Sequence, residues 1–220
     1  MSETKLHVYE NDAIRVTYDA KRCVHYAACV RGLPKVFDPR KRPWVMPDAA
    51  AAEAIAEVVE RCPTGALHYQ RKDGGAAELP DVENSVLVST NGPVYVRGEL
   101  EVMGAYNQVE RHETRLALCR CGASSNKPYC DGSHVARGFR DPAVAPADRR
   151  QPTSDESPIG GPLRIEATVN GPLVLRGNLR LMDGSGEVVA QMMHCTLCRC
   201  GHSKEKPFCD GSHQSAGFQG

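Results

Sequence analysis

The feature that most constrains this chain is a cysteine-rich stretch that occurs twice. Cys119-Arg120-Cys121 is followed by Cys130-Asp131-Gly132-Ser133-His134, three thiols and one imidazole within sixteen residues. The stretch returns as Cys198-Arg199-Cys200 and Cys209-Asp210-Gly211-Ser212-His213, every donor displaced by 79 positions with no insertion. The same displacement maps Asn91-Gly92-Pro93 on Asn170-Gly171-Pro172, Arg97-Gly98 on Arg176-Gly177 and Gly138-Phe139 on Gly217-Phe218. Two copies are too few for a solenoid and suit a pseudo-symmetric pair that packs against itself, like a homodimer fused into one chain. Ten cysteines are many, and all but Cys195 fall in ligand-like clusters. The polar start from Met1 to Glu10 has no signal-peptide core, so metal binding is expected in place of a disulfide framework.

Composition narrows the classes. A chain of 220 residues with only 5% aromatic content suggests small modules stapled by metal in preference to one large core. The 27 basic residues balance the 27 acidic ones, which argues against a nucleic-acid binder. No apolar run approaches the roughly 18 to 20 residues of a membrane span. The expectation is a soluble cytoplasmic protein, a monomer with an internal pseudo-dimer.

The first 72 residues differ from the rest. Ile14 to Tyr18 alternates as a strand. Asp48 is expected to cap a helix running through Arg61, in which Ala51, Ile55, Val58, Val59 and Cys62 follow helical spacing. Cys62-Pro63 stops it, and Ala66 to Tyr69 reads as a closing strand. Residues 71 to 83 form a polar, glycine-containing linker. Val86-Leu87-Val88 and Val94-Tyr95-Val96 flank the Asn91-Gly92-Pro93 turn, and this β pattern repeats from Leu163. Five prolines between Asp141 and Pro162 mark a second irregular linker. The domains expected are therefore 1–72, 84–140 and 163–220, with 141–162 as the linker.

Three cysteines and a histidine admit two chemistries. Zinc takes that set tetrahedrally, and a two-iron cluster also takes four protein ligands, with histidine raising its potential. Cys-x-Cys is tighter than the Cys-x2-Cys of zinc fingers, which leans toward the cluster without excluding zinc. Gly122 and Pro128 supply turn chemistry between the donors, and Asp131 or Ser133 is a candidate cap for a helix at the ligand end.

Both copies resemble the CDGSH iron–sulfur (mitoNEET-like) family, whose pattern is Cys-x-Cys-x2-Ser/Thr-x3-Pro-x-Cys-Asp-Gly-Ser-His. The first copy matches at Cys119, Cys121, Ser124, Pro128 and Cys130 to His134; the second at Cys198, Cys200, Ser203, Pro207 and Cys209 to His213. The resemblance implies two [2Fe–2S] clusters. One would sit on Cys119, Cys121, Cys130 and His134, the other on Cys198, Cys200, Cys209 and His213. It also implies histidines toward solvent and clusters labile enough for sensing or donation. No membrane anchor like that of mitoNEET itself is expected here.

The first segment carries Cys23 and Cys29 six apart, with Cys62-Pro63-Thr64-Gly65-Ala66-Leu67 further on. It resembles the divergent single-cluster ferredoxin domain, with Tyr26 where ferredoxins carry a middle cysteine. The resemblance implies a [3Fe–4S] cluster on Cys23, Cys29 and Cys62, or a [4Fe–4S] cluster with His25 as the nearest fourth donor. The four-iron form is marginally preferred.

Other residues receive plainer readings. Cys195 aligns with Leu116 and reads as a buried small hydrophobe; His194 reads as a surface residue and His202 as an exposed loop residue. Arg120 and Arg199, between ligands, are equally readable as cations near a cluster or as solvated side chains. Tyr26 reads as packing, and His7, His68 and His112 get no role. No catalytic triad, phosphate loop or dinucleotide fingerprint is present. The fold expected is α+β: a small ferredoxin-like domain followed by a pseudo-two-fold β-rich module with two CDGSH sites. Three roles follow. Electron transfer with redox partner proteins comes first, then a cluster carrier or redox/pH sensor delivering to apo-acceptor proteins, then a structural zinc protein. An enzyme is not expected.

Overall fold

The computed structural model describes residues 6–150 and 160–220. The chain separates into two compact units, Met1–Leu79 and Pro80–Gly220. Helices are few and short, and strands dominate.

In the first unit, β1 (His7–Glu10), β2 (Ile14–Tyr18) and β3 (Leu67–Arg71) form an antiparallel sheet with β2 in the middle. The central strand follows the alternation read from sequence, with Ile14 and Val16 fully buried. The edge strand β1 is nearly all exposed and therefore carries no burial pattern to read. A short helix α1 (Ala28–Gly32) and a longer one, α2 (Ala52–Glu60), complete the unit. Ala52, Ile55, Ala56 and Val59 recur every three or four positions along α2 and fill the same core as Ile14, Val16 and Phe37. The expected start at Asp48 is corrected: Pro47–Ala49 is a separate 3-10 turn, and α2 begins at Ala52 without a side-chain cap. The Asp48 carboxylate is engaged elsewhere, accepting from the Asn11 amide at 3.0 Å.

The second unit is one six-stranded sheet shared by both sequence copies. Two long hairpins carry it: β5 (Val94–Met103) with β6 (Val109–Leu118), and β8 (Leu173–Met182) with β9 (Val188–Leu197). Two short strands, β4 (Ser85–Val88) and β7 (Leu163–Ala167), lie between them. Each is antiparallel to the hairpin of its own copy and parallel to the hairpin of the other, with Ser85 opposite Arg180 and Arg164 opposite Glu101. These last two pairings exchange places on adding or subtracting 79. Alternating apolar residues of both copies meet in one core, among them Val96, Leu100 and Leu116 with Leu175, Leu179 and Leu197.

The long strands run past the end expected at Val96 because each continues through a bulge. Gly98, at φ +134°, sits at that bulge, where a Cβ would fall 2.0 Å from the Asn84 side-chain oxygen. Asn84 uses this closeness to bind Glu99 N–H and, through its own amide, the carbonyls of Gly161 and Asn178.

The linker expected at 141–162 is also corrected in part. Ala143 and Ala145 are buried in the shared core, Ala147–Arg149 forms a 3-10 turn, and Arg150 meets Asp183 at 3.3 Å. The residues buried there are small, so hydrophobicity alone does not mark the segment as packed. Residues 151–159 of that stretch lie outside the described residues.

Candidate metal centres

Each repeated site is built at the end of a hairpin. Beyond β6 the chain turns back on itself: Cys119 N–H donates to Pro128 O at 2.8 Å, and Cys130 N–H to Ala117 O at 2.8 Å. The second copy does the same from Cys198 to Pro207 and from Cys209 to Thr196. The motif residues that are not donors hold this loop. Ser124 Oγ donates to Tyr129 O at 2.7 Å, and the Asp131 carboxylate accepts from Ser125 N–H and Ser133 N–H. Ser203 and Asp210 repeat both roles. The backbone N–H of Lys204, then Ser212, hold the Asp210 carboxyl well below the usual range. Asp131 thus supports the one-turn helix α3 (Ser133–Ala136), as α4 (Ser212–Ser215) is supported by Asp210; Ser133 lies inside α3 and does not cap it.

Four donors stand as two pairs in each copy. Cys119 Sγ and Cys121 Sγ are 3.8 Å apart, and Cys130 Sγ and His134 Nδ1 3.4 Å. The corresponding separations are 3.7 Å for Cys198 and Cys200 and 3.4 Å for Cys209 and His213. Metal–sulfur bonds of about 2.3 Å in a tetrahedral centre give a sulfur–sulfur edge of about 3.8 Å, so each thiol pair fits one metal. Among the described residues, no three of His, Cys, Asp and Glu gather closely enough for one metal ion. The cysteines of the first pair in each copy are nearly inaccessible, whereas His134 and His213 are half-buried. Burial pushes the Cys130 thiol up to about 11 and raises Cys198 and Cys209 in the same direction. A bare thiolate is disfavoured in such surroundings, and a cationic centre reverses that preference. Burial, with the charge of Arg120 second, holds the His134 imidazole below its ordinary value and favours its neutral, ligating form.

The two loops touch. Gly122 and Gly201 follow the second cysteine of each copy at φ +77° and +84°. A Cβ on Gly122 would fall 2.5 Å from Cys200 O, and one on Gly201 2.8 Å from Cys121 O. Only glycine permits this reciprocal approach.

Arg120 and Arg199 are not solvated side chains. Each is 2% exposed. Arg120 donates to Gly92 O, Ser89 O and the Asp141 carboxylate at 2.6–2.8 Å and lies over the Phe139 ring. Arg199 donates to the carbonyls of Gly171, Thr168 and Gly220 and lies over Phe218. The aromatic rings in turn pack on Cys119 and Cys121, and on Cys198 and Cys200. The repeated Gly-Phe and Asn-Gly-Pro segments were the sequence signal for this frame. Cys195 is buried in the core and pushed up to about 12 by that burial; His194 and His202 are exposed.

In the first unit, Cys23, Cys29 and Cys62 line one recess together with Tyr26, Trp44 and Thr64. Burial, with Cys62 adding to it, pushes the Cys29 thiol up to about 11. His25 is exposed and stands off the wall of this recess, while Tyr26 at the middle position lies on it. Flanking Tyr26, His25 and Ala27 both adopt left-handed backbone, φ 56° and 64°.

Comparison with known proteins fits this geometry. A family model described as iron-binding zinc finger CDGSH type matches residues 91–135 and 170–214, and one described as divergent 4Fe-4S mono-cluster matches residues 9–72. The chain belongs to these iron–sulfur families. It carries one divergent 4Fe-4S mono-cluster domain followed by two CDGSH domains. It is also similar to the uncharacterized protein YjdI of Escherichia coli K12, 38% identical over 64 residues, which span 29% of this chain and 84% of that protein. The YjdI protein of Escherichia coli O157:H7 matches to the same extent. No solved structure matches the chain significantly. No helix among the described residues is long and apolar enough to cross a membrane.

Proposed function

We propose that this iron–sulfur protein transfers electrons through two [2Fe–2S] clusters and one ferredoxin-type cluster. The observation that carries the proposal is the two-and-two division of donors in both CDGSH loops, 3.8 and 3.4 Å in one, 3.7 and 3.4 Å in the other. A two-iron cluster takes two protein donors on each iron, whereas a zinc site would draw all four to one ion. The ligands are Cys119, Cys121, Cys130 and His134, and Cys198, Cys200, Cys209 and His213. The reciprocal pairing of β4 and β7 supports a pseudo-two-fold arrangement of the two sites. In the ferredoxin-like unit, Cys23, Cys29 and Cys62 supply three thiolates to a [4Fe–4S] or [3Fe–4S] cluster. The position of His25 off the recess speaks against it as a fourth ligand. Different ligand sets give centres of different potential, which suits carriage of electrons between redox partner proteins in the cytoplasm, not catalysis and not nucleic-acid binding.

Iron and sulfide analysis with low-temperature EPR tests this. We expect about four iron atoms per chain from the two CDGSH sites, three or four more from the first, and a two-iron signal on reduction. An oxidised three-iron signal would assign the first cluster as [3Fe–4S]. A colourless protein with stoichiometric zinc would end the proposal.

One observation favours a second reading, cluster donation or sensing: the histidine is half-buried where the first cysteine pair is closed off. An imidazole ligand must be neutral to bind and is lost on protonation, so acid should release these clusters. His134→Cys together with His213→Cys is expected to slow acid-driven loss of the two-iron absorbance about tenfold or more. Equal rates in both proteins would remove histidine control. Reversible reduction by a reductase favours electron transfer; rapid passage of cluster to an apo-acceptor favours donation.

A further inference from the structure

The two CDGSH loops share their ligands and frame but not their surroundings. Where the first copy has Ala123 and Ser125, the second has His202 and Lys204. The packed segment that begins at Asp141 crosses to this second loop, with Arg149 over the Phe208 ring at 5.5 Å. Between segment and loop lies an open recess of about 860 Å³. That volume falls within the roughly 300–1,000 Å³ of small-molecule sites.

The lining of the recess is both cationic and apolar. Arg150, Lys204 and Lys206 line it with the imidazole of His202. The acid on its wall, Asp141, is already neutralised by Arg120 at 2.6 Å. Arg150 shares its charge with Asp183 at 3.3 Å but keeps further N–H donors. Lys206 Nζ is tied to Ser203 O, and the Ser203 hydroxyl to Phe208 O. Positive charge is thus left in excess at a place where the hydroxyl and carboxylate are already committed. Pro142, Val144 and Pro146 supply the apolar part of the lining, and Val144 is 54% exposed.

We propose that this recess binds a phosphate-bearing small organic molecule beside the second CDGSH loop. The lysines and Arg150 would meet the phosphate oxygens, for which several cations around one multi-oxygen anion are suited. The apolar part of the lining would cover the organic part. The first loop lacks the added charge, because Ala123 and Ser125 stand where the second has His202 and Lys204.

Isothermal titration with phenyl phosphate, inorganic phosphate and sodium chloride tests the proposal on the full chain. We expect saturable binding of one phenyl phosphate per chain, weaker binding of inorganic phosphate, and none with chloride. The His202→Ala, Lys204→Ser double variant gives the second loop the residues that the first already tolerates. It is expected to weaken phenyl phosphate at least about tenfold, as loss of charged hydrogen-bond partners does. Its thermal transition and visible absorbance should match the parent. No saturable binding by the parent, or unchanged affinity in the variant, would overturn the proposal.

Discussion

Gly122→Ala is expected to damage both CDGSH sites at once. The substitution forces a non-glycine residue to hold φ +77°, which costs about 1–2 kcal/mol. It also drives a Cβ to 2.5 Å from Cys200 O, a backbone atom of the other copy's ligand residue that has no rotamer by which to retreat. The combined loss should be about 3 kcal/mol or more, in the range that marks a specific steric fault. Because the displaced carbonyl belongs to Cys200 of the second CDGSH loop, more than half of the visible absorbance from the two CDGSH sites should be lost, beyond what one site can account for. Gly132→Ala is the control. Gly132 holds φ +87° with open space where its Cβ would go, so only the conformational cost applies. Equal damage from the two variants would show that the contact between the loops carries nothing.

Arg120→Met is the second large effect. The guanidinium is 2% exposed and satisfies Ser89 O, Gly92 O and Asp141 together. Removing it leaves a mostly buried carboxylate without its cation and takes a donor from each of two carbonyls, a loss of about 3–5 kcal/mol. For a unit of this size the melting temperature should fall by about 6–20 °C. Arg120→Lys keeps the charge but not the planar fork and should recover only part of it. Arg199→Met should cost less, since Arg199 donates to the backbone oxygens of Gly171, Thr168 and Gly220 and to no side-chain carboxylate in these bonds. A change no larger than that of an exposed arginine, about 0.5 kcal/mol, would refute the assigned role.

Much of the site was legible because its information is local. Donor types, their spacing, and the serine and aspartate that brace each loop all lie within sixteen residues, and the second copy verifies the first. Strand β2 and the buried face of α2 were legible for the same reason, since a period of two or of three to four survives in the sequence itself. The misreadings have physical causes. Asp48 looks like a cap but is drawn to Asn11, 37 positions away. Five prolines made 141–162 look like a linker, although alanine methyl groups at 143 and 145 fit the core.

The cysteine-rich stretch from Cys119 to His134 and its copy determined by themselves that this chain holds two related sets of metal ligands, and their match to the CDGSH pattern placed the chain among iron–sulfur proteins. Ligand chemistry depends on residue identity and short spacing, and neither needs the fold to be read. Only the tertiary structure decided that β4 and β7 each cross to the other copy, that Arg120 is buried against Asp141, and that Gly122 and Gly201 press the two ligand loops together. The strand crossing depends on register between segments far apart in the chain, Ser85 with Arg180 and Leu100 with Leu163. Alternating segments that share a pattern leave that register open until the shared core closes over them.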